Sequence, residues 1–288
     1  MRVKPSEKKE ISNPKRMCRR IPVSLMIGGL LAVLIVLMAL AAPWISPFPY
    51  DEFHVKDRIQ PPNATYWFGT DEFGRDVLSR VLVGSRVSLF MGIVATAISL
   101  ILGVPLGLLA GYHRGSVDEI IMRLTDILMS FPPVILGLLI LAVTPPNIIK
   151  TAAAVGAVYV PVLVRLTRSV TLGLIEEEYI LAAKARGERA IYIMAAEILP
   201  NAWPPIIVEA SLRVTFAILL AAALSFLGLG AQPPSSDWGL MISQGRSYID
   251  TGPWIALFPG LAMCITVIGV NLMGDGLREL LDPRMKHR

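Results

Sequence analysis

The chain has 288 residues, 54% of them hydrophobic and 17% charged, with a formal net charge of +5. A mean hydropathy of +0.60, with the apolar residues gathered into blocks, excludes an ordinary soluble domain and points to a membrane protein. The basic balance, with a pI near 9.3, requires no nucleic acid, because the basic loops of a membrane protein meet anionic lipid.

A bilayer core about 30 Å thick needs roughly 20 helical residues, so charge-free blocks of that length are the spans to look for. Residues 1–22 form a basic tail, and Val23 to Ala42 is the first uncharged block. Its apolar core is too long for a cleaved signal peptide, and Ala42-Pro43 is a poor cleavage context. Residues 43–86 follow as an outer loop. Within it, turn residues lead into Asp76 to Arg86, where Val77, Val81 and Gly84 with Leu78, Leu82 and Ser85 make an apolar face and Arg80 a polar one. That pattern predicts a helix lying on the bilayer surface. Its role is either docking for an external partner or a structural clamp between spans.

Val87 to Tyr112 is the second span. Ala95, Ser99, Gly103, Gly107 and Gly111 recur every four residues, a stripe of small side chains that lets helix backbones close on each other. The stripe fits packing within this chain or against a second, similar subunit. Ile127 to Val143, interrupted by Pro132 and Pro133, and Ile148 to Val164 are the third and fourth candidates. Pro105, Pro132, Pro133, Pro161 and Pro259 predict bent helices.

Residues 165–204 are different in kind. Tyr179 to Ala185 is helix-compatible, Gly187 interrupts, a second helical run follows, and Pro200 closes it. Two short helices joined at a glycine make a knob, with Ala182 and Ala183 small enough for a partner's helix to approach. The fifth span, Pro205 to Leu229, carries Glu209 and Arg213, which at i, i+4 share a helix face and neutralise each other; a role in a pathway or gate is the alternative. Pro253 to Met273 is the sixth span, and residues 274–288 form a basic tail. Without strand-like alternation, six spans of this kind are helices and the fold class is an all-α membrane bundle.

Nineteen Lys and Arg fall on the side of both tails and the Gly187 knob, against seven (Lys56, Arg58, Arg75, Arg80, Arg86, Lys150 and Arg246) on the other. The positive-inside rule therefore places both termini and the knob in the cytoplasm and residues 43–86 and 230–252 outside. Cys18 and Cys264 lie at different depths and form no disulfide. No phosphate loop and no G-x-G-x-x-G motif is present, and His54, His113 and His287 are too scattered to hold a metal. The expectation is a chain with no cofactor, no metal and no catalysis of its own; if it drives transport with ATP, the ATPase is another chain.

Five blocks in order carry a family resemblance: FGTDEFGRDVLSRVLVGSRVSL (68–89), VDEIIMRLTDILMSFPP (117–133), EEYILAAKARG with ILPN (177–187 and 198–201), LSFLGLGAQPPSSDWG (224–239), and LFPG with GDGLRELLDPR (257–260 and 274–284). Over nearly its whole length the chain resembles the permease subunits of the ATP-binding-cassette importers for peptides and nickel, in particular the C-type partner of the permease pair. The resemblance implies six helices of the type I importer, MetI-like, permease fold in a bacterial or archaeal cytoplasmic membrane. It also implies a B-type permease as heterodimer partner, two cytoplasmic ATPases, and an external solute-binding protein that delivers a di- or oligopeptide, with nickel chelates or opine-like solutes as alternatives. By position, Glu178, Ala182, Ala183, Gly187, Leu199, Pro200 and Asn201 would form or support the ATPase contact. Two residues depart from the broader loop pattern: Leu181 stands at an acidic position and Glu197 at a branched apolar one. Gly69, Thr70, Asp71, Gly74, Arg75 and Asp76 are the candidate docking residues of the outer segment. The rival from another class is a membrane scaffold that uses the same knob only for binding.

Overall fold

A computed structural model describes residues 22–143 and 145–281. The basic N-terminal tail, Cys18 and the last seven residues lie outside the described residues. Ten helices follow in order: α1 (Val23–Ile45), α2 (Val77–His113), α3 (Gly115–Met129), α4 (Pro133–Leu141), α5 (Ile148–Leu174), α6 (Glu178–Ala185), α7 (Ala190–Tyr192), α8 (Leu199–Phe226), α9 (Trp238–Gly245) and α10 (Trp254–Leu281). A π-helical stretch, Ile193–Ile198, joins α7 to α8. Five helices are long and apolar enough to cross a membrane, and six spans result if α3 and α4 are one broken span.

That break turns the chain by 93°. Pro132 and Pro133 lack the N–H groups that would continue α3, and a residue before proline is pushed out of the helical region, so Ser130 and Phe131 end one helix and Pro133 begins the next. Pro105, Pro161 and Pro259 are instead accommodated inside the single helices α2, α5 and α10.

The core is built on α2 and α5, the most extensive helix pair. Each glycine of the small-residue stripe lies on α5: a Cβ at Gly103 would sit 2.5 Å from Leu163 Cβ, at Gly107 2.6 Å from Thr167 Cβ, and at Gly111 2.6 Å from Thr171 Cβ. Ser99 is buried in the same row. Of the two packing readings, the structure shows the one within the chain. Around this pair, Met91, Ala95, Val155, Tyr159, Ala217, Leu220 and Leu224 form the central cluster. α1 packs along α10, with Gly28, Gly269 and Gly276 at the closest approaches. Its opposite face, Met26, Leu30, Val33, Leu37 and Leu40, is exposed and free of charge, which suits hydrocarbon.

Two expectations are corrected here. Residues 77–86 do not form a separate surface helix; they are the first turns of α2, capped by the Asp76 carboxylate, which accepts from the Ser79 N–H at 2.8 Å. The second is the ending of the knob at Pro200. The chain is helical without interruption from Ala190 to Phe226, because Pro200 stands in the first turn of α8, where its missing N–H costs least. The Asn201 side-chain amide meets the Glu197 carbonyl at 2.8 Å, supplying a donor beside the proline.

Candidate functional site

Two regions frame the bundle, one at each end. At the knob, α6 runs from Glu178 to Ala185, and Gly187 turns the chain at φ +77°, a left-handed conformation that disfavours a Cβ. Its floor is apolar and closed: Ile180, Ala183, Ile193, Met194, Ile198, Ala202 and Ile206 pack with Val104 and Leu108 of α2. Lys184 lies over the Tyr112 ring at 5.3 Å, and Arg186 pairs with Glu188 at 2.7 Å.

The outward surface has another composition. Glu178, Leu181, Ala182, Ile191, Tyr192, Pro200 and Asn201 are exposed and Leu199 is half-buried. Leu181 at 52% and Ile191 at 68% exposure are large apolar groups turned away from the core. Apart from its chain neighbours, no described residue stands within 4 Å of a Cβ built at Gly187. Ala183 must be set apart from this group, since it is fully buried. It lets α6 settle on its floor rather than meeting a partner. Leu181, Ile191 and Tyr192 were not among the expected contact residues; the i, i+10 and i+11 spacing across a glycine turn carries no periodic signal that would have marked them.

At the opposite end, Asp71 is the centre of a buried ionic cluster. Its Oδ1 accepts from the backbone N–H groups of Phe73 (2.8 Å) and Arg75 (2.9 Å), and its Oδ2 accepts from Arg75 Nε (2.6 Å) and Arg80 Nη1 (2.5 Å). Arg80 reaches across to Gln244 Oε1 at 3.0 Å and Ser236 Oγ at 3.4 Å, tying α2 to α9. The Trp238 indole donates to the Val81 carbonyl and the Ser88 hydroxyl to Asp237, both at 3.0 Å; Trp254 donates to the Thr70 carbonyl at 3.0 Å. Gly69 and Gly74 take φ of +73° and +77° to fold this loop back on itself.

Thr70, Asp71, Gly74, Arg75 and Asp76 are therefore turned inward, together with Gly69 and Arg80, and form the clamp rather than a docking face. Arg80, read as the polar face of a surface helix, is 0% exposed because its charge is met by Asp71. Glu52, Phe53, Trp67 and Phe73 are among the exposed groups of the outer loop. Burial pushes the Glu72 carboxyl above its ordinary range, and the neighbouring charge of Asp71 adds to this. Burial likewise raises Asp237, against the hydrogen bonds it accepts from Ser225, Leu240 and Ser88.

Glu209 and Arg213 pair on α8 at 2.8 Å, as their spacing predicts. The Arg213 guanidinium also lies over the rings of Tyr159 (5.4 Å) and Phe216 (4.8 Å). Asp118 pairs with Arg168 and Asp126 with Arg165, each at 2.5 Å, fastening α3 to α5.

Known proteins match most of the chain. Residues 103–287 match the family described as the binding-protein-dependent transport system inner membrane component, and residues 24–62 the N-terminal transmembrane domain of oligopeptide transport permease C. A dipeptide transport system permease protein of Alkalihalophilus pseudofirmus is 45% identical over 260 residues, 90% of this chain and 86% of that protein. A di/tripeptide transport system permease protein of Pseudomonas aeruginosa is 42% identical, over 91% and 88% of the two chains. A glutathione transport system permease protein of Pectobacterium atrosepticum is 40% identical, over 90% and 86%. Among solved structures, an inward-facing form of the MetNI methionine ABC transporter superposes with a TM-score of 0.59 at 18% identity, covering 70% of this chain and 96% of that one.

Proposed function

This chain belongs to the family of binding-protein-dependent transport system inner membrane components, and we propose that it forms half of the membrane pathway of an importer for di- or oligopeptides. Members of this family are transport permeases that work with ATPase and substrate-binding partners. In this reading the other half of the pathway is a related B-type permease, and two cytoplasmic ATPases hydrolyse ATP on the chain's behalf. An external solute-binding protein delivers the peptide to the face that carries Phe53, Trp67 and Phe73. Both termini and the knob are cytoplasmic, in the inner membrane of a bacterium.

One observation carries the coupling role: an exposed apolar surface around α6 and Gly187, mounted on a closed core and continuous with a membrane-spanning helix. A monomeric surface needs no Leu181 and Ile191 turned outward on the same knob as Ala182; a partner's groove does. Glu178, Ala182, Gly187, Leu199, Pro200 and Asn201 form this contact, and Ala183 supports it from below. When the ATPases close, they move the knob, and the helix that begins at Ala190 carries the displacement into the bundle.

The test compares two substitutions at one position. Gly187→Ala and Gly187→Trp share the cost of a Cβ at φ +77°, about 1–2 kcal/mol, and that Cβ meets no described residue within 4 Å. They differ in bulk alone. Reconstituted with its partners, Gly187→Ala keeps ATP hydrolysis coupled to uptake, whereas Gly187→Trp inserts normally but uncouples them. Equal uptake by both would remove the knob from the mechanism.

A further inference from the structure

The inner half of α8 opens on a cavity of about 500 Å³ walled by α5 and α10. Leu166, Val208 and Leu212 make an apolar wall, while Asn201, Glu209 and Arg278 bring an amide, a carboxylate and a guanidinium to the same space. Ionisable groups on a spanning helix are costly against hydrocarbon, so a cavity of this composition is an aqueous one. Its volume lies within the roughly 300–1,000 Å³ of sites that hold small ligands.

The two charges differ in what already holds them. Arg213 Nη2 engages Glu209 at Oε1, and no hydrogen bond within the described residues uses Oε2. Arg278 is exposed and has no ion-pair or hydrogen-bond partner among the described residues. On α8, Arg213 Nε is buried with no hydrogen-bond partner among the described residues, so the polar capacity of the Glu209–Arg213 pair is not exhausted. A simple anion would need only Arg278. The cavity lining offers an acceptor for a cation and a donor for an anion together with apolar side chains, and that combination fits a molecule carrying both charges at its ends. An extended di- or tripeptide measures roughly 7–11 Å at about 3.3–3.6 Å per residue.

Resting on the peptide-importer reading above, we infer that this cavity is an inward-facing binding site for a short zwitterionic peptide. Arg278 receives the C-terminal carboxylate, Glu209 the N-terminal ammonium, and Leu166, Val208 and Leu212 the side chains. Both end contacts are charge-assisted hydrogen bonds, the stronger kind.

Trialanine is the probe, titrated calorimetrically into the complete transporter, nucleotide-free, in lipid nanodiscs and without its solute-binding protein. Trialanine binds, and N-acetyl-trialanine and trialanine amide each bind at least about tenfold more weakly, a loss of the size of one end contact. Arg278→Gln weakens trialanine about tenfold and makes amidation indifferent. Arg278 is exposed and has no partner among the described residues, so that variant removes no ion pair or hydrogen bond seen there. Leu212→Trp fills the cavity and abolishes binding. Absent binding, equal binding of free and blocked peptides, or affinity unmoved by both variants overturns the inference. ATP-driven uptake of trialanine, measured on the same preparation with its binding protein, separates the two levels. Uptake alongside binding that ignores the cavity sinks this site alone, whereas no uptake of any short peptide sinks the importer reading beneath it.

Discussion

Asp71→Asn isolates the charge at the centre of the outer clamp. The replacement has the same shape and keeps an oxygen for the Phe73 and Arg75 backbone N–H groups, so the turn survives. It puts an amide N–H₂ where Oδ2 receives Arg75 at 2.6 Å and Arg80 at 2.5 Å, and both guanidiniums are left almost completely buried beside a donor. Removing one partner of a buried pair costs about 3–5 kcal/mol, most of it the penalty of an uncompensated charge. At about 2 °C per kcal/mol for a chain of this length, the apparent Tm falls by roughly 6–10 °C. Thermal unfolding of the purified protein in detergent, followed by size-exclusion chromatography, reads this directly. Adding Arg80→Met removes one stranded charge, so the double variant is less destabilised than the two single variants summed. A Tm for Asp71→Asn within a degree or two of wild type, or strict additivity, would refute the view that this cluster is held together by compensated charge.

Glu72 has its carboxyl raised by burial and one oxygen without a partner, so the folded state holds a proton over a pH range in which the unfolded chain has released it. That stabilisation is complete below the unfolded value and is lost as pH rises through the folded one; Glu72→Gln removes this part of the slope, seen as a flatter Tm against pH above the ordinary carboxyl range. Gly107→Val drives a Cβ to 2.6 Å from Thr167 Cβ and 2.7 Å from the Val164 carbonyl, closer than α2 and α5 can tolerate without separating, and costs about 1–3 kcal/mol in the same unfolding assay. Gly173→Val, on α5 with open space beside it, leaves the packing intact and serves as the comparison.

Much of the bundle is legible before any coordinate is seen. Uncharged blocks of about 20 residues betray spans because hydrocarbon admits nothing else, and a small residue every fourth position betrays a close helix contact. Glu209 and Arg213 are equally readable, since i, i+4 geometry is local. What sequence conceals is tertiary compensation. Arg80 reads as a surface charge until Asp71, nine residues away, and Gln244, on another helix, are brought to it. Pro200 reads as a stop because its neighbours cannot show that it falls in the first turn of a longer helix, where its missing donor is tolerated. Ala182 and Ala183 are indistinguishable by size, and only the packing of Ile180, Ile193 and Ile198 decides which one is buried and which is exposed.

The uninterrupted run from Ala190 to Phe226 has a mechanical corollary. Thirty-seven residues at about 1.5 Å each make a rod of roughly 55 Å, longer than a bilayer is thick. A tilt of a few degrees at its Ala190 end displaces the far end by several ångströms, except as the rod yields along the way. It can yield at Pro204 and Pro205, inside α8, and at the wider turn of Ile193–Ile198, which sits directly behind the knob, where a crankshaft would carry its bearing.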